Sequence, residues 1–142
     1  MSEVDSIVWP NPGFDNNITV YGPEVKALVK RYLTQMIDEL KALPEPGGAG
    51  SLFDAIDLVV PHQANKTMVL HYAKASGLAP ERLYFNIDRV GNTSSASIPL
   101  AIYDAVREGV IDRPMRIFAP GFGAGAVGGY VVMRLDPAVV AA

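Results

Sequence analysis

The stretch "AIDLVVPHQAN", Ala55–Asn65, joins a short apolar run to one of the two histidines in the chain. The run is β-branched and does not alternate with polar residues, which predicts a strand covered on both faces. Pro61 fixes the backbone after the run, and a second helix is predicted from Gln63 to about Ser76. His62 therefore follows the carboxyl end of a strand, where α/β proteins place their binding sites.

Helices and strands alternate along the rest of the chain, which predicts an α/β layered domain. The segment "EVKALVKRYLTQMIDELKA", Glu24–Ala42, carries a single apolar stripe at helical spacing. A third helix is predicted from Ser95 or Ala96 to Glu108, and "MRIFAP" and "GGYVVMRL" predict two strands. We expect one domain over residues 1–142, with a leading loop and strands at 1–22 (Ile7–Trp9 and Ile18–Tyr21), a core at 23–136 and a tail at 137–142.

The composition narrows the classes of function before any motif is considered. The chain has 142 residues, of which 49% are hydrophobic, a net charge of −3 and no cysteine. A nucleic-acid-binding surface needs clustered basic charge, and a thiolate metal site needs cysteine. The N-terminal residues lack the pattern of a signal peptide, and no apolar run reaches the roughly 20 residues of a membrane helix. We therefore expect a cytoplasmic protein without a metal, nucleic-acid or membrane partner.

The segment "GAGAVG", Gly123–Gly128, matches the dinucleotide-binding pattern G-x-G-x-x-G. A strand pattern follows it, where a phosphate site needs the N-terminus of a helix. The sequence also has no acidic residue about 20 positions further on, where the ribose of the nucleotide would require one. We reject nucleotide binding and predict a tight turn between two strands.

Taken singly, His62 and Asn92 favour ordinary structural roles. His62 would be a helix cap or a satisfied polar group, and Asn92, in "GNTSSAS", would be a turn residue. His71 lies on the second predicted helix, where surface or packing roles suffice. No G-x-S-x-G elbow and no paired carboxylates are present, and a helix start explains the serines near Asn92. The polar chemistry reduces to one histidine, one asparagine and a glycine loop.

These three motifs together, in this order, resemble the C-terminal half of β-ketoacyl-acyl carrier protein synthase III, a member of the thiolase superfamily. The resemblance runs from Tyr21 to Leu135 and includes "YGPEVKALV", "DLVVPHQAN", "GNTSSASIPLAIYDAVREG" and "FGAGAVGGYVVMRL". It implies one α-β-α half of a thiolase-like five-layer sandwich, with a mixed, mostly parallel sheet flanked by helices.

The resemblance also implies which residues perform the chemistry. His62 and Asn92 match the family's catalytic histidine and asparagine, which donate hydrogen bonds to the thioester carbonyl of malonyl-carrier protein as it becomes an enolate. Phe122 matches the aromatic residue of the acyl pocket. The backbone at Gly123, Ala124 and Gly125 matches the oxyanion loop, where the family usually has glycine in place of Ala124.

Basic residues on the second predicted helix match the family's docking surface for the acidic carrier protein. Lys66 and Lys74 are present there, but Thr67 stands where the family often has arginine. We therefore expect weak electrostatic steering of the carrier protein by this chain.

The nucleophile is where the chain departs from the family, because the family's catalytic cysteine lies on the N-terminal half. The resemblance implies acyl-CoA and malonyl-carrier protein as substrates and no cofactor. Because this chain has no cysteine, we also expect no condensing activity by the chain alone. Three explanations stay open: a piece of a full-length enzyme, which we favour, one subunit of a split enzyme, or a non-catalytic interaction module. The expected partners are a Cys-bearing N-terminal half, acyl carrier protein and a second copy in a homodimer.

Overall fold

The computed structural model describes residues 22–123 and 127–140. The predicted strands Ile7–Trp9 and Ile18–Tyr21 lie outside these residues. The main elements, in chain order, are α1 (Gly22–Ala42), β1 (Leu58–Val59), α2 (Lys66–Ala75), α3 (Ile87–Val90), α4 (Ser97–Arg107), β2 (Met115–Gly123) and β3 (Val127–Leu135). Short 3₁₀ helices cover Pro80–Arg82, Ser94–Ala96 and Pro137–Val139.

The described strands form one mixed sheet in the order β1-β2-β3. β1 pairs with β2 in parallel, with Val59 opposite Phe118, and a parallel bridge joins Val59 to Leu83. β2 and β3 pair antiparallel along their whole length, from Met115 opposite Leu135 to Gly123 opposite Val127. The prediction of a mixed sheet is confirmed. The expectation that parallel pairing dominates is not met in the described residues, because the longest pairing is that of the β2–β3 hairpin.

Side chains of β2 alternate between two apolar clusters, one on each face of the sheet. Phe118 packs in a cluster with residues of α1 and α2, among them Leu33, Ile37 and Ala73. Ile117 packs in a second cluster, with α4. Helices therefore cover both faces, and the predicted α-β-α layering is confirmed.

The first predicted helix is confirmed, because α1 contains all of Glu24–Ala42 and buries its apolar stripe. The second helix begins later than predicted, at Lys66 rather than Gln63. The side chain of Asn65 accepts a hydrogen bond from the backbone N–H of Met68 at 2.9 Å, so Asn65 is the N-cap. The one-turn helix α3 was not predicted from the sequence.

The glycine-rich segment connects the two strands of a hairpin, as predicted, and no helix follows it. Gly128 shows why a small residue is needed there. A Cβ atom at Gly128 would lie 2.9 Å from Cγ of Tyr32 and 3.2 Å from Cε of Met36. The glycine thus allows β3 to pack closely against α1.

Within residues 22–123 and 127–140, no helix is long and apolar enough to cross a membrane.

Candidate active site

A cleft of about 640 Å³ lies where β1 and β2 end. The described residues place His62, Asn92, Phe122 and Gly123 in its lining, together with Ser97. Four predicted site residues that are up to 61 positions apart in the sequence thus meet in one cavity. Another depression of about 700 Å³ runs along the exposed face of α1 and contains none of the predicted site residues.

His62 is anchored through its backbone and through one ring nitrogen. Its backbone N–H donates to the carbonyl of Pro120 at 2.9 Å, which continues the pairing of β1 with β2. Its Nδ1 lies 2.6 Å from Oγ of Ser97. Burial lowers the pKa of His62 below its ordinary value, so the neutral ring is favoured. Nε2 makes no hydrogen bond with the described residues and is the ring nitrogen available to a ligand.

Asn92 is oriented by a local turn. Its Oδ1 accepts a hydrogen bond from the backbone N–H of Ser94 at 2.9 Å. Because that partner is a donor, the side-chain amide must present its oxygen to Ser94 and its NH₂ group elsewhere. Gly91 and Ser94 both have positive φ angles, 71° and 55°, which shape the turn. Asn92 therefore presents a hydrogen-bond donor from an exposed loop that lines the cleft.

The end of β2 supplies the apolar side of the cleft. The ring of Phe122 lies 6.5 Å from that of Tyr32 on α1, centroid to centroid, so α1 supports the wall. Gly123 also lines the cleft, whereas Ala124 and Gly125 of the predicted oxyanion loop lie outside the described residues. In the described part of the chain, no group of three or more histidine, aspartate or glutamate residues is arranged to hold a metal ion.

The two predicted docking lysines are separate from the cleft lining. Nζ of Lys66, at the start of α2, forms a salt bridge of 2.6 Å with Oδ2 of Asp88. Lys74 is exposed in the last turn of α2 and makes no salt bridge within the described residues. Lys66 is therefore partly neutralised, and Lys74 is the more available of the two charges.

Gln63 is a structural residue of the site that the sequence analysis did not single out. It is 1% exposed, and its Nε2 donates to the carbonyls of Pro61 at 2.7 Å and Tyr84 at 3.4 Å. Its Oε1 accepts from the backbone N–H groups of Asn86 at 3.1 Å and Ile87 at 3.3 Å. One buried amide thus ties the segment around His62 to the start of α3. Its position beside His62 was the only sequence signal.

A polar cluster holds α3 against α4 and so supports the loop that carries Asn92. The side chain of Asn86 donates to Oδ2 of Asp104 at 2.8 Å, and this hydrogen bond lowers the pKa of Asp104. Arg89 forms ion pairs with Asp104 at 3.4 Å and with Glu108. The Tyr84 hydroxyl donates to Glu108 at 2.8 Å. The cluster therefore fixes α3, from which the loop with Asn92 leads to α4.

Solved structures identify the fold as one half of a thiolase-type sandwich. The chain superposes on 3-oxoacyl-(acyl carrier protein) synthase III from Pseudomonas aeruginosa PAO1 with a TM-score of 0.78 and 26% identity, covering 96% of this chain and 42% of that one. The synthase III from Thermus thermophilus gives a TM-score of 0.77 and 28% identity, with 96% and 44% covered. The chain therefore has the α/β architecture of a thiolase-superfamily half.

The amino-acid sequence places the chain within that class. A family model described as "3-Oxoacyl-[acyl-carrier-protein (ACP)] synthase III C terminal" matches residues 49–135, and the chain belongs to this family. It is 41% identical over 113 residues to beta-ketoacyl-[acyl-carrier-protein] synthase III of Symbiobacterium thermophilum, covering 80% of this chain and 33% of that protein. The Coxiella burnetii protein of the same name is 38% identical over 128 residues, with 90% and 38% covered. The chain spans about a third of the length of these curated relatives.

Proposed function

We propose that the chain is the His/Asn-bearing half of a β-ketoacyl-acyl carrier protein synthase III-like condensing enzyme. The reaction is a decarboxylative Claisen condensation of malonyl-carrier protein with a starter acyl group derived from acyl-CoA. The observation that carries the proposal is the meeting of His62 and Asn92 in one cleft, each with one side-chain atom engaged by the protein. Membership of the synthase III C-terminal family supports it.

The two side chains would stabilise the charge that develops when malonyl-carrier protein loses CO₂. The thioester carbonyl then becomes an enolate oxygen, and donors that are already positioned bind this oxygen more tightly than the carbonyl. Asn92 offers the Nδ2 hydrogens, because its oxygen is engaged by Ser94. His62 is biased towards the neutral ring, which acts as a hydrogen-bond donor and does not remove a proton from the substrate.

The acyl-transfer half of the reaction needs groups beyond those described. The chain has no cysteine, so the starter acyl group must be carried by a Cys-bearing N-terminal half on the same or a separate polypeptide. In the proposal, the backbone around Gly123, Ala124 and Gly125 binds the oxyanion of that step, and Phe122 lines the acyl pocket. The isolated chain would then have no condensing activity.

The remaining partners follow from the same proposal. Acyl carrier protein would dock near Lys66 and Lys74, mainly through Lys74 because Asp88 already pairs with Lys66. The assembled enzyme would be a cytoplasmic homodimer that uses no cofactor.

The proposal is tested by combining the chain with the Cys-bearing N-terminal half of a related synthase III, fused or supplied in trans. Decarboxylation of malonyl-carrier protein is measured for the parent, His62→Ala and Asn92→Ala. Losing one positioned donor should lower the rate by roughly 100- to 1000-fold. His71→Ala is the matched control, because His71 is exposed on α2 outside the cleft lining and should keep the parental rate. A parental rate in His62→Ala would refute the assignment.

A second candidate is a non-catalytic half-thiolase module that self-associates. It is favoured by Val127 and Val131, which are 62% and 55% exposed on β3, an edge strand of the described sheet. Light scattering of the purified chain at several concentrations separates the candidates. Self-association without activity in the presence of a Cys-bearing half would favour the module. A chain that gains activity only with that half supports the enzyme.

A further inference from the structure

Ser97 is the single side chain in the described residues that contacts the ring of His62 by a hydrogen bond. It is the first residue of α4, 35 positions from His62, and is 1% exposed. A serine at a helix start is usually explained as a cap. Here Ala96 is the N-cap residue and no side-chain cap hydrogen bond is formed. Capping therefore does not account for the position of the Ser97 hydroxyl.

The direction of the His62–Ser97 hydrogen bond follows from the other contacts of the hydroxyl. Oγ of Ser97 also accepts from the backbone N–H of Gln63 at 3.3 Å. Within the described residues the hydroxyl makes no hydrogen bond except those with His62 and Gln63. A backbone N–H can only donate, so Nδ1 of His62 is the one acceptor for the buried hydroxyl hydrogen.

The two neutral forms of the ring therefore differ in their hydrogen bonding. With the ring proton on Nδ1, both this proton and the backbone N–H of Gln63 would point at Oγ of Ser97. The hydroxyl hydrogen would then have no acceptor, which is costly for a buried group. With the proton on Nε2, every polar atom of the His62–Ser97–Gln63 contact is satisfied. In that form the N–H is on the ring nitrogen that the protein leaves without a partner.

We propose that Ser97 is a positioning residue that donates a hydrogen bond to Nδ1 of His62 and so confines the ring proton to Nε2. The inference deepens the proposed function and rests on it, because an Nε2–H donor is what the enolate oxygen requires. Ser97 does not touch the substrate in this scheme. It selects the form of His62 that can donate.

The tautomer is measured directly by NMR of the imidazole nitrogens in the isotope-labelled chain, without substrate. The chain has only two histidines, so His71→Ala assigns the signals. The expected result is an Nε2–H ring for His62, with Nδ1 showing the shift of a hydrogen-bond acceptor. A proton on Nδ1 would overturn the inference, and this NMR measurement needs no Ser97 variant.

Variants then assign the effect to the hydroxyl. Ser97→Ala should give a detectable fraction of the Nδ1–H form and raise the pH at which His62 titrates, because protonation no longer displaces the hydroxyl hydrogen from Nδ1. Ser97→Thr retains a hydroxyl and should restore the parental spectrum. Ser95→Ala removes an exposed hydroxyl of the same segment and should leave the His62 signals unchanged. Signals that are identical in Ser97→Ala and the parent would overturn the assignment.

The role in catalysis is measured in the enzyme assembled with a Cys-bearing half. Ser97→Ala should lower kcat for decarboxylation by about tenfold and leave KM little changed. The reason is that the activation free energy rises by roughly the free energy of one hydrogen bond. Ser97→Thr should recover most of that loss. A parental kcat in Ser97→Ala, with the tautomer altered, would refute the catalytic role. If instead the parent is inactive while its His62 carries Nε2–H, the proposed function fails and the Ser97 contact stands.

Discussion

His62 and Asn92 line the same cleft, but the chain holds them by different means. His62 lies between buried residues: Pro61 and Gln63 flank it, and Pro120 and Ser97 bind it from 58 and 35 positions away. Asn92 lies in an exposed loop, and its side chain is held by Ser94, two positions along the chain.

The difference predicts which substitutions would change the orientation of each side chain. The orientation of His62 depends on the packing of the sheet end, so changes around it should affect the stability of the fold. The orientation of Asn92 depends on one turn, so changes there should affect the site and destabilise the fold less than changes around His62. Predictions for four positions test this comparison, beginning with the largest expected effect.

Replacing Gln63 with leucine should destabilise the fold by about 3 kcal/mol. The substitution leaves the backbone N–H groups of Asn86 and Ile87 and two carbonyls without their buried partner. Urea unfolding followed by circular dichroism measures the change. Gln35→Leu is the matched control, because Gln35 is exposed on α1 and its side chain bonds only to Glu39 among the described residues. Equal midpoints for the two variants would show that the segment around His62 does not depend on Gln63.

Replacing Ser94 with valine should destabilise the fold by about 1–2 kcal/mol relative to Ser94→Gly. Ser94 has φ of 55°, a left-handed conformation that a β-branched residue adopts with difficulty and glycine adopts readily. Thermal unfolding of the pair gives the difference. Ser95→Val, at a position without a positive φ, should cost less, and a similar loss there would assign the effect to β-branching alone.

Replacing Asn92 with aspartate should change the free energy of unfolding by less than about 1 kcal/mol while it removes the donor. The carboxylate keeps an oxygen for the N–H of Ser94, so the turn is retained. Activity in the assembled enzyme should fall as far as in Asn92→Ala. Urea midpoints and decarboxylation rates report the two effects separately. A large loss of stability in Asn92→Asp would contradict the local anchoring of this residue.

The smallest expected effect is the pH dependence that His62 gives to stability. Burial lowers the pKa of His62, so between that lower value and the ordinary value of about 6.5 the unfolded chain binds more protons than the folded chain. The stability that the neutral ring contributes is complete above about pH 6.5 and is lost as the pH falls through the folded pKa. Urea midpoints of the parent and His62→Gln should therefore converge as the pH falls from 7 towards about 5. Parallel pH profiles would show that the pKa of His62 is not lowered.

Several elements could be predicted because their signals are local. The helical stripe of α1, the two strands of the β2–β3 hairpin and the turn at Asn92 depend on neighbours a few positions apart. The predicted start of α2 was wrong by three positions, because Asn65 forms the cap while Gln63 is buried in long-range hydrogen bonds. α3 was missed, because contacts of Asn86 and Arg89 with α4 support its single turn.

The sequence by itself determined the family and the α/β class, and it singled out His62 and Asn92 as the proposed donors, because these follow from short motifs and their order. The tertiary structure alone decided which partners hold those donors. Ser97 and Gln63 look like ordinary helix-start and loop residues in the sequence, and only the meeting of β1, β2 and α4 places them against His62 and the backbone around it. Hydrogen bonds depend on the distance and direction of the atoms in space, and residues 35 positions apart leave no periodic signal of their contact.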